Sequence, residues 1–198
     1  MAVGKGEQTR AAILDRAVRL ASEVGLEGLT IGRLAGSLDL SKSGLFAHFR
    51  AKEALQVQTL ERAAEKFVDV VVRPALQAPR GEPRVRAIFE LWLRWPSTQP
   101  GGCVFVAAAS ELDDRPGPAR DKLVALERDW LETIANAVRG AVREGHFRSD
   151  VDPEQAAFEL HAIMLGTHHL GRLLRDPDAA GRARLAFDRF VESARPRR

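Results

Sequence analysis

Apolar residues recur at helical spacing along nearly the whole chain, and this periodicity restricts the fold more than any other feature. In the first segment, Ile13, Ala17, Leu20, Ala21 and Val24 would share one buried face of a helix. No stretch alternates apolar and polar residues for long enough to predict a sheet. The pattern therefore predicts an all-α protein with about nine helices.

Glycine, proline and capping residues divide this pattern into separate helices. We expect Gly25 to end the first helix, and Pro74 to end a long fourth helix that begins at Lys52. Thr30 and Ser41 are N-cap residues for the second and third helices. Further along, the spacing predicts helices over 83–95, 102–112, 118–145, 153–174 and 180–194.

The excess positive charge is confined to the first quarter of the chain. Residues 1–52 contain eight lysines and arginines against five acidic residues, whereas residues 53–198 contain 22 of each. A cationic segment joined to a neutral remainder is typical of contact with nucleic acid or an anionic surface. The single cysteine, the lack of a long apolar run and the lack of a signal-peptide pattern lead us to expect a cytoplasmic protein.

The second and third predicted helices, joined by a short turn, indicate a helix-turn-helix. In this motif the second helix of the pair enters the DNA major groove. Leu45 and Phe49 would anchor that helix to the preceding one, while its opposite face carries small and cationic side chains. Lys52, at the positive N-terminus of the fourth helix, is placed to contact a phosphate. The alternative is a three-helix core with a solvated face.

Residues 9–55 resemble the DNA-binding domain of the tetracycline-repressor (TetR) family. Thr30, Leu34 and Ala35 match the family's T-x-x-x-I-A, LSKSGLFAHF matches its VSKGTLYYHF, and Lys52 with Glu53 matches its K-E. The resemblance implies a DNA-binding domain over residues 1–55 and a helical ligand-binding and dimerisation domain over residues 56–198. It implies DNA contacts from Thr30, Ser41, Lys42, Ser43, Gly44, Phe46, Ala47, His48 and Lys52.

The resemblance also implies roles for these residues. Those at positions 30, 48 and 52 match positions that contact backbone phosphates, and those at 43, 44 and 47 match positions that face bases. Phe46 stands where the family often has a tyrosine, so the phosphate contact of that hydroxyl is lost. Asp39 stands where the family favours glycine in the turn, and aspartate tolerates the left-handed conformation better than most residues.

Aromatic residues in the C-terminal part predict either an ordinary core or the wall of an apolar ligand pocket. Phe89, Trp92 and Trp95 share one face of the fifth predicted helix. Cys103 is either a redox-sensing thiol at a helix N-terminus or a small buried filler. The candidate pocket residues are Phe89, Trp92, Trp95, Cys103, Phe105, Trp130, Met164 and His168.

The last two predicted helices combine apolar residues with small ones such as Gly166 and Gly171. The TetR resemblance implies that these helices form a four-helix bundle between two copies of the chain, whereas intrachain packing alone is the alternative. The candidate interface residues are Leu160, Ile163, Leu170, Leu174, Phe187 and Phe190.

No motif indicates catalysis, a cofactor or a metal site. His168 and His169 are adjacent on a helix and point about 100° apart, so they are poorly placed to bind one ion. The acidic cluster at Glu111, Asp113 and Asp114 is flanked by arginines, which favours a salt-bridged surface corner.

We therefore expect a non-enzymatic, homodimeric DNA-binding regulator that uses no cofactor. It would act as a repressor that a small, largely apolar effector releases from a palindromic operator. The alternative is a helical protein-interaction or membrane-surface module without sequence-specific DNA binding.

Overall fold

The computed structural model describes residues 5–196, without the side chains of Lys5, Glu7 and Ala47, and over this range it contains helices and no strand. A π-helical turn, Val68–Val72, joins α4 to α5, so the described chain has nine continuous helical segments. This confirms the all-α prediction. The helices are α1 Lys5–Gly28, α2 Ile31–Gly36, α3 Lys42–Phe49, α4 Lys52–Phe67, α5 Arg73–Gln77, α6 Glu82–Arg94, α7 Val104–Leu112, α8 Pro118–Arg143, α9 Pro153–Arg172 and α10 Ala179–Ala194.

Two predicted helix ends are wrong. Gly25 has a φ of 78°, yet it kinks α1 and does not end it, because the chain resumes helical geometry as far as Gly28. Val24, expected on the buried stripe, is 36% exposed, and it directly precedes the kink. Pro74 lies within the first turn of α5, where the preceding π-helical turn has already broken the ordinary i→i−4 bonding, so its missing N–H costs little.

The chain forms two compact units. The first comprises the chain through Lys66 together with Ser97–Leu126, and the second comprises Phe67–Pro96 together with the chain from Glu127 onward. The predicted division after residue 55 concerns which residues bind DNA, and it stays a prediction.

In the first unit, α1 packs along α7 and the segment that precedes α7. A Cβ atom on Gly101 would lie 1.6 Å from the carbonyl oxygen of Ser22, so only glycine fits there. The Gly101 N–H donates to Ser22 Oγ at 3.1 Å. At the other end of α7, Glu111 accepts a hydrogen bond of 2.7 Å from the backbone N–H of Glu27, just past the kink. The two contacts fix α1 at both ends of α7.

In the second unit, aromatic side chains build the core. Phe89 of α6 stacks on Phe187 of α10 with ring centroids 4.3 Å apart, and both are fully buried. Phe67 meets Trp95 and Trp130 edge-on at 5.3 Å and 4.9 Å. Ion pairs outside this core, such as Arg184 with Glu90, also join α10 to α6.

We predict that Gly101→Ala destabilises the protein by roughly 1–3 kcal/mol, because the added methyl group would overlap the backbone of α1. Gly36→Ala is the matched control in the same unit, since a Cβ there meets nothing within 4 Å. Urea unfolding followed by circular dichroism measures both. Equal stability of the two variants would contradict the close contact between Gly101 and α1.

Candidate nucleic-acid interface

Two side-chain caps set the start of α2 and α3. Thr30 Oγ1 accepts a hydrogen bond of 3.1 Å from the backbone N–H of Arg33. Ser41 Oγ accepts one of 3.1 Å from the N–H of Gly44. Both predicted N-caps are confirmed, and they satisfy backbone donors that a helix leaves unpaired at its N-terminus.

The turn between the two helices closes on one carbonyl group. The N–H groups of Leu38 and Leu40 both donate to the oxygen of Ala35, at 3.1 Å and 3.0 Å. Asp39 has a φ of 53°, the left-handed conformation expected of the residue that replaces glycine. The chain therefore reverses within a few residues, as a helix-turn-helix requires.

One face of α3 is buried and the other is open to solvent. Leu45 and Phe49 are buried, as is Leu34 of α2 across the turn, and this confirms the predicted anchor. The side chain of Ala47 lies outside the described residues. The exposed residues of α3 are Lys42, Ser43, Gly44, Phe46 (55% exposed) and His48.

Lys42 lies over the first turn of α2. A Cβ atom on Gly32 would be 3.2 Å from Lys42 Cε, 3.7 Å from its Nζ and 4.0 Å from Thr30 Oγ1. The structure thus brings a cation and a hydroxyl together at one edge of the exposed surface. We did not single out Gly32 from the sequence, although a glycine in the first turn of a short helix is a sign of close approach.

Lys52 is paired with the carboxylate of Glu27, a residue that we did not single out from the sequence. Its ammonium group lies 3.1 Å from Glu27 Oε2, and Gln56 donates to the other oxygen of that carboxylate at 3.1 Å. These two hydrogen bonds, with Lys52 the stronger influence, lower the pKa of Glu27 below its ordinary value. An ammonium group has three donors, so Lys52 can contact Glu27 and a phosphate at the same time.

The acidic cluster at the end of α7 does not form the expected salt-bridged corner. Glu111 instead accepts the N–H of Glu27, and Arg115 pairs with Glu27 at 3.4 Å. Arg120 donates to the carbonyl oxygen of Asp113 and not to a carboxylate. The helical kink at Gly25 brings Glu27 into reach of these groups, and local sequence gives no sign of it.

The candidate ligand-pocket residues are mostly part of the core. Phe89 stacks on Phe187, which supports the ordinary-core alternative for this residue. Trp92, Trp95, Trp130 and Met164 are buried in the second unit, and His168 is half-buried, with burial as the main cause of its lowered pKa. Cys103 and Phe105 are buried within the first unit, where Cys103 precedes α7.

Two clefts open elsewhere in the second unit, and none of the candidate pocket residues lines either. One lies beside Arg80 and Arg143, and the other lies beside Arg128 and Phe158. Sequence patterning could not find them, because their walls combine residues from separate helices.

Two of the candidate interface residues are buried within the chain itself. Leu160 and Phe187 are each only 1% exposed, because they pack inside the second unit, and Phe187 stacks on Phe89. Ile163, Leu170 and Phe190 are half-buried, and Leu174 is exposed. Three other exposed apolar residues lie about two turns apart, Phe158 and Leu165 on α9 and Leu173 directly after it, and this spacing was a signal in the sequence.

Neither a metal site nor a membrane span is found in the part of the chain that the structure describes. Within residues 5–196, no three histidine, cysteine or acidic side chains gather as a metal would require. None of the helices in that range combines the length and hydrophobicity needed to cross a bilayer.

Comparison with known proteins identifies the same motif. Residues 13–58 match the family model of bacterial regulatory proteins of the tetR family, and residues 81–187 match the tetracyclin repressor-like C-terminal domain. The biofilm operon icaADBC HTH-type negative transcriptional regulator IcaR of Staphylococcus epidermidis is 31% identical over 61 residues, which cover 31% of this chain and 33% of IcaR. The match thus spans about a third of that relative.

Solved structures share the whole fold. A TetR-family transcriptional regulator from Cytophaga hutchinsonii superposes with a TM-score of 0.87 at 17% identity, over 100% of both chains. A TetR regulator from Chloroflexus aurantiacus superposes with a TM-score of 0.83 at 26% identity, over 95% of this chain and 94% of that one. The C-terminal family model alone covers more than half of the chain. The chain therefore belongs to the TetR family of DNA-binding transcriptional regulators.

Proposed function

We propose that this chain is a transcriptional repressor that binds a palindromic operator as a homodimer, with α3 as the recognition helix. The observation that supports this most strongly is the two-sided character of α3, which is anchored by Leu45 and Phe49 and open on its other face. We also propose that the protein binds DNA without catalysing a reaction, and that it works in the cytoplasm, where its target DNA lies.

The exposed face of α3 suits close approach to DNA. A major groove about 12 Å wide admits one helix, and short side chains let its backbone come near the base edges. Ser43 and Gly44 provide this short surface, and Lys42 and Thr30 form a cationic, hydrogen-bonding edge where a phosphate would pass. We assign base contacts to residues 43, 44 and 47 and phosphate contacts to residues 30, 42, 48 and 52.

The second unit is the proposed location of the effector site. Regulators of this family have ligand-binding C-terminal domains, and the second unit holds all three tryptophans. We propose that a small, largely apolar effector binds there beside Trp92, Trp95 and Trp130, and that its binding opposes DNA binding. Reciprocal coupling of this kind typically amounts to about 1–3 kcal/mol.

Sequencing the genomic DNA fragments that the purified protein retains tests the proposed function. We expect enrichment of one inverted repeat whose half-sites lie about one helical turn of DNA, or a multiple of it, apart. Retention of fragments without a shared sequence, together with binding to anionic lipid vesicles, would instead support the membrane-surface alternative.

We predict that Ser43→Glu weakens operator binding by roughly 1–3 kcal/mol per recognition domain, because it places a carboxylate where the base edges approach. Ser193→Glu on α10 is the control, since it adds the same charge at an exposed site far along the chain. Fluorescence anisotropy with labelled operator measures both. If the folded Ser43→Glu variant binds like the control, α3 does not read the DNA.

We predict that Lys42→Gln weakens binding to all duplexes alike and lowers the salt slope by about one per domain. Lys52→Gln should weaken binding less, because the carboxylate of Glu27 already neutralises part of the Lys52 charge. Lys122→Gln, which breaks an ion pair with Glu61, is the control. The measurement is operator affinity against salt concentration, and an unchanged slope for Lys42→Gln would remove this residue from the interface.

We predict that Leu165→Asp combined with Leu173→Asp yields a monomer that loses operator binding. Both side chains are exposed, Leu165 on α9 and Leu173 directly after its last residue, and with Phe158 they form an apolar stripe of the kind typical of interfaces. Leu76→Asp, at another exposed leucine of the second unit, is the control. Sedimentation velocity reports the assembly state, and a persistent dimer would place the interface elsewhere.

A further inference from the structure

We infer that the second unit carries a binding site for a small organic anion, separate from the proposed effector site. The site is a cleft of 390 Å³ between the end of α5, the start of α6 and the C-terminal part of α8. This volume is near the lower end of the range for small-molecule sites. All of its lining residues belong to the second unit, so the inference does not depend on DNA binding.

Three arginines line this cleft and no acidic residue does. Arg80 precedes α6, Arg84 lies in its first turns, and Arg143 ends α8. Among the described residues, neither Arg80 nor Arg143 has an ion-pair or hydrogen-bond partner. Three guanidinium groups around one concave surface create a positive potential that an anion would neutralise.

Three carboxylates close to the cleft along the chain are paired with arginines outside its lining. Glu82 pairs with Arg195 at 2.7 Å and with Arg86 at 3.5 Å. Asp69 pairs with Arg73 at 3.0 Å, one turn before the cleft. Glu132 on α8 forms an ion pair with Arg139. Glu144, which follows Arg143, is exposed and has no ion pair among the described residues, so it offsets at most one of the three arginine charges of the cleft.

Arg84 is held in place before any ligand arrives. Its Nη2 donates to the carbonyl oxygens of Leu76 and Ala78 at 3.1 Å and 2.9 Å, and its Nε also donates to Ala78 at 3.2 Å. These carbonyl groups belong to the C-terminal end of α5, which the helix itself leaves unpaired. A guanidinium group fixed in this way loses little conformational entropy when it binds a ligand.

The rest of the cleft indicates the remainder of the ligand. Val72, Leu76 and Ala137 supply an apolar wall, and Thr133 and Asn136 supply polar atoms on α8. Gly140, also in the lining, adds no side chain to fill the space. A ligand with a carboxylate or phosphate head and a short apolar body fits this combination of charge, shape and size.

Isothermal titration calorimetry with the full chain tests the site, with benzoate, phenyl phosphate and benzamide as probes. Benzoate and phenyl phosphate distinguish a carboxylate head from a phosphate head, and benzamide has nearly the same shape without the charge. We expect one or both anions to bind more weakly as salt rises, and benzamide to bind at least about tenfold more weakly than the better anion.

Arg80→Gln and Arg143→Gln should each weaken binding of that anion by roughly tenfold, because each removes a charge-assisted hydrogen bond. Arg73→Gln removes the same charge from a neighbouring exposed arginine outside the cleft, and it should change little. Equal weakening by all three variants would mean diffuse surface attraction and would overturn the inference. Equal binding of benzamide, or no binding of either anion at about 10 mM, would overturn it as well.

Discussion

The carboxylate of Glu111 holds the kink in α1, and the placement of α2 and α3 depends on that kink. Glu111 accepts the backbone N–H of Glu27 at 2.7 Å. The same carboxylate lies so close to Gly25 that a Cβ there would be 2.0 Å from its Oε1, and Gly25 has a φ that favours glycine. After the kink, the buried Leu26 and Leu29 lead directly into the Thr30 cap of α2.

Glu27 extends this constraint to the far end of the helix-turn-helix. Its backbone is held by α7, and its carboxylate meets Lys52 and Gln56 at the start of α4. The buried Gln56 also donates to the carbonyl oxygen of Leu26 at 2.9 Å. The exposed ion pair with Lys52 contributes little to stability, whereas loss of the buried amide bond would leave polar groups unpaired. One residue thus connects the segment before α2 to the segment after α3.

The sequence alone predicted the features that neighbouring residues determine. The caps at Thr30 and Ser41 and the anchor at Leu45 and Phe49 follow from short-range spacing, and the left-handed Asp39 was implied by the TetR resemblance. The kink at Gly25 could not be predicted, since its stabilising carboxylate lies on α7, more than 80 residues away. The same limit explains why the sequence placed Phe187 at an interface between two copies of the chain. An apolar periodicity shows that a side chain is buried, but it does not show whether its partner is Phe89 or a second copy of the chain.

DNA cleavage from a tethered iron chelate shows whether two copies of α3 read one operator, as we propose. The chelate is attached to Ser43→Cys, and the buried Cys103 leaves the new thiol as the reactive one. We expect two cleavage centres placed symmetrically about the operator dyad, about 34–36 Å apart or at a multiple of that spacing. A single cleavage centre, or cleavage spread evenly along the duplex, would contradict the reading of one operator by two copies of α3.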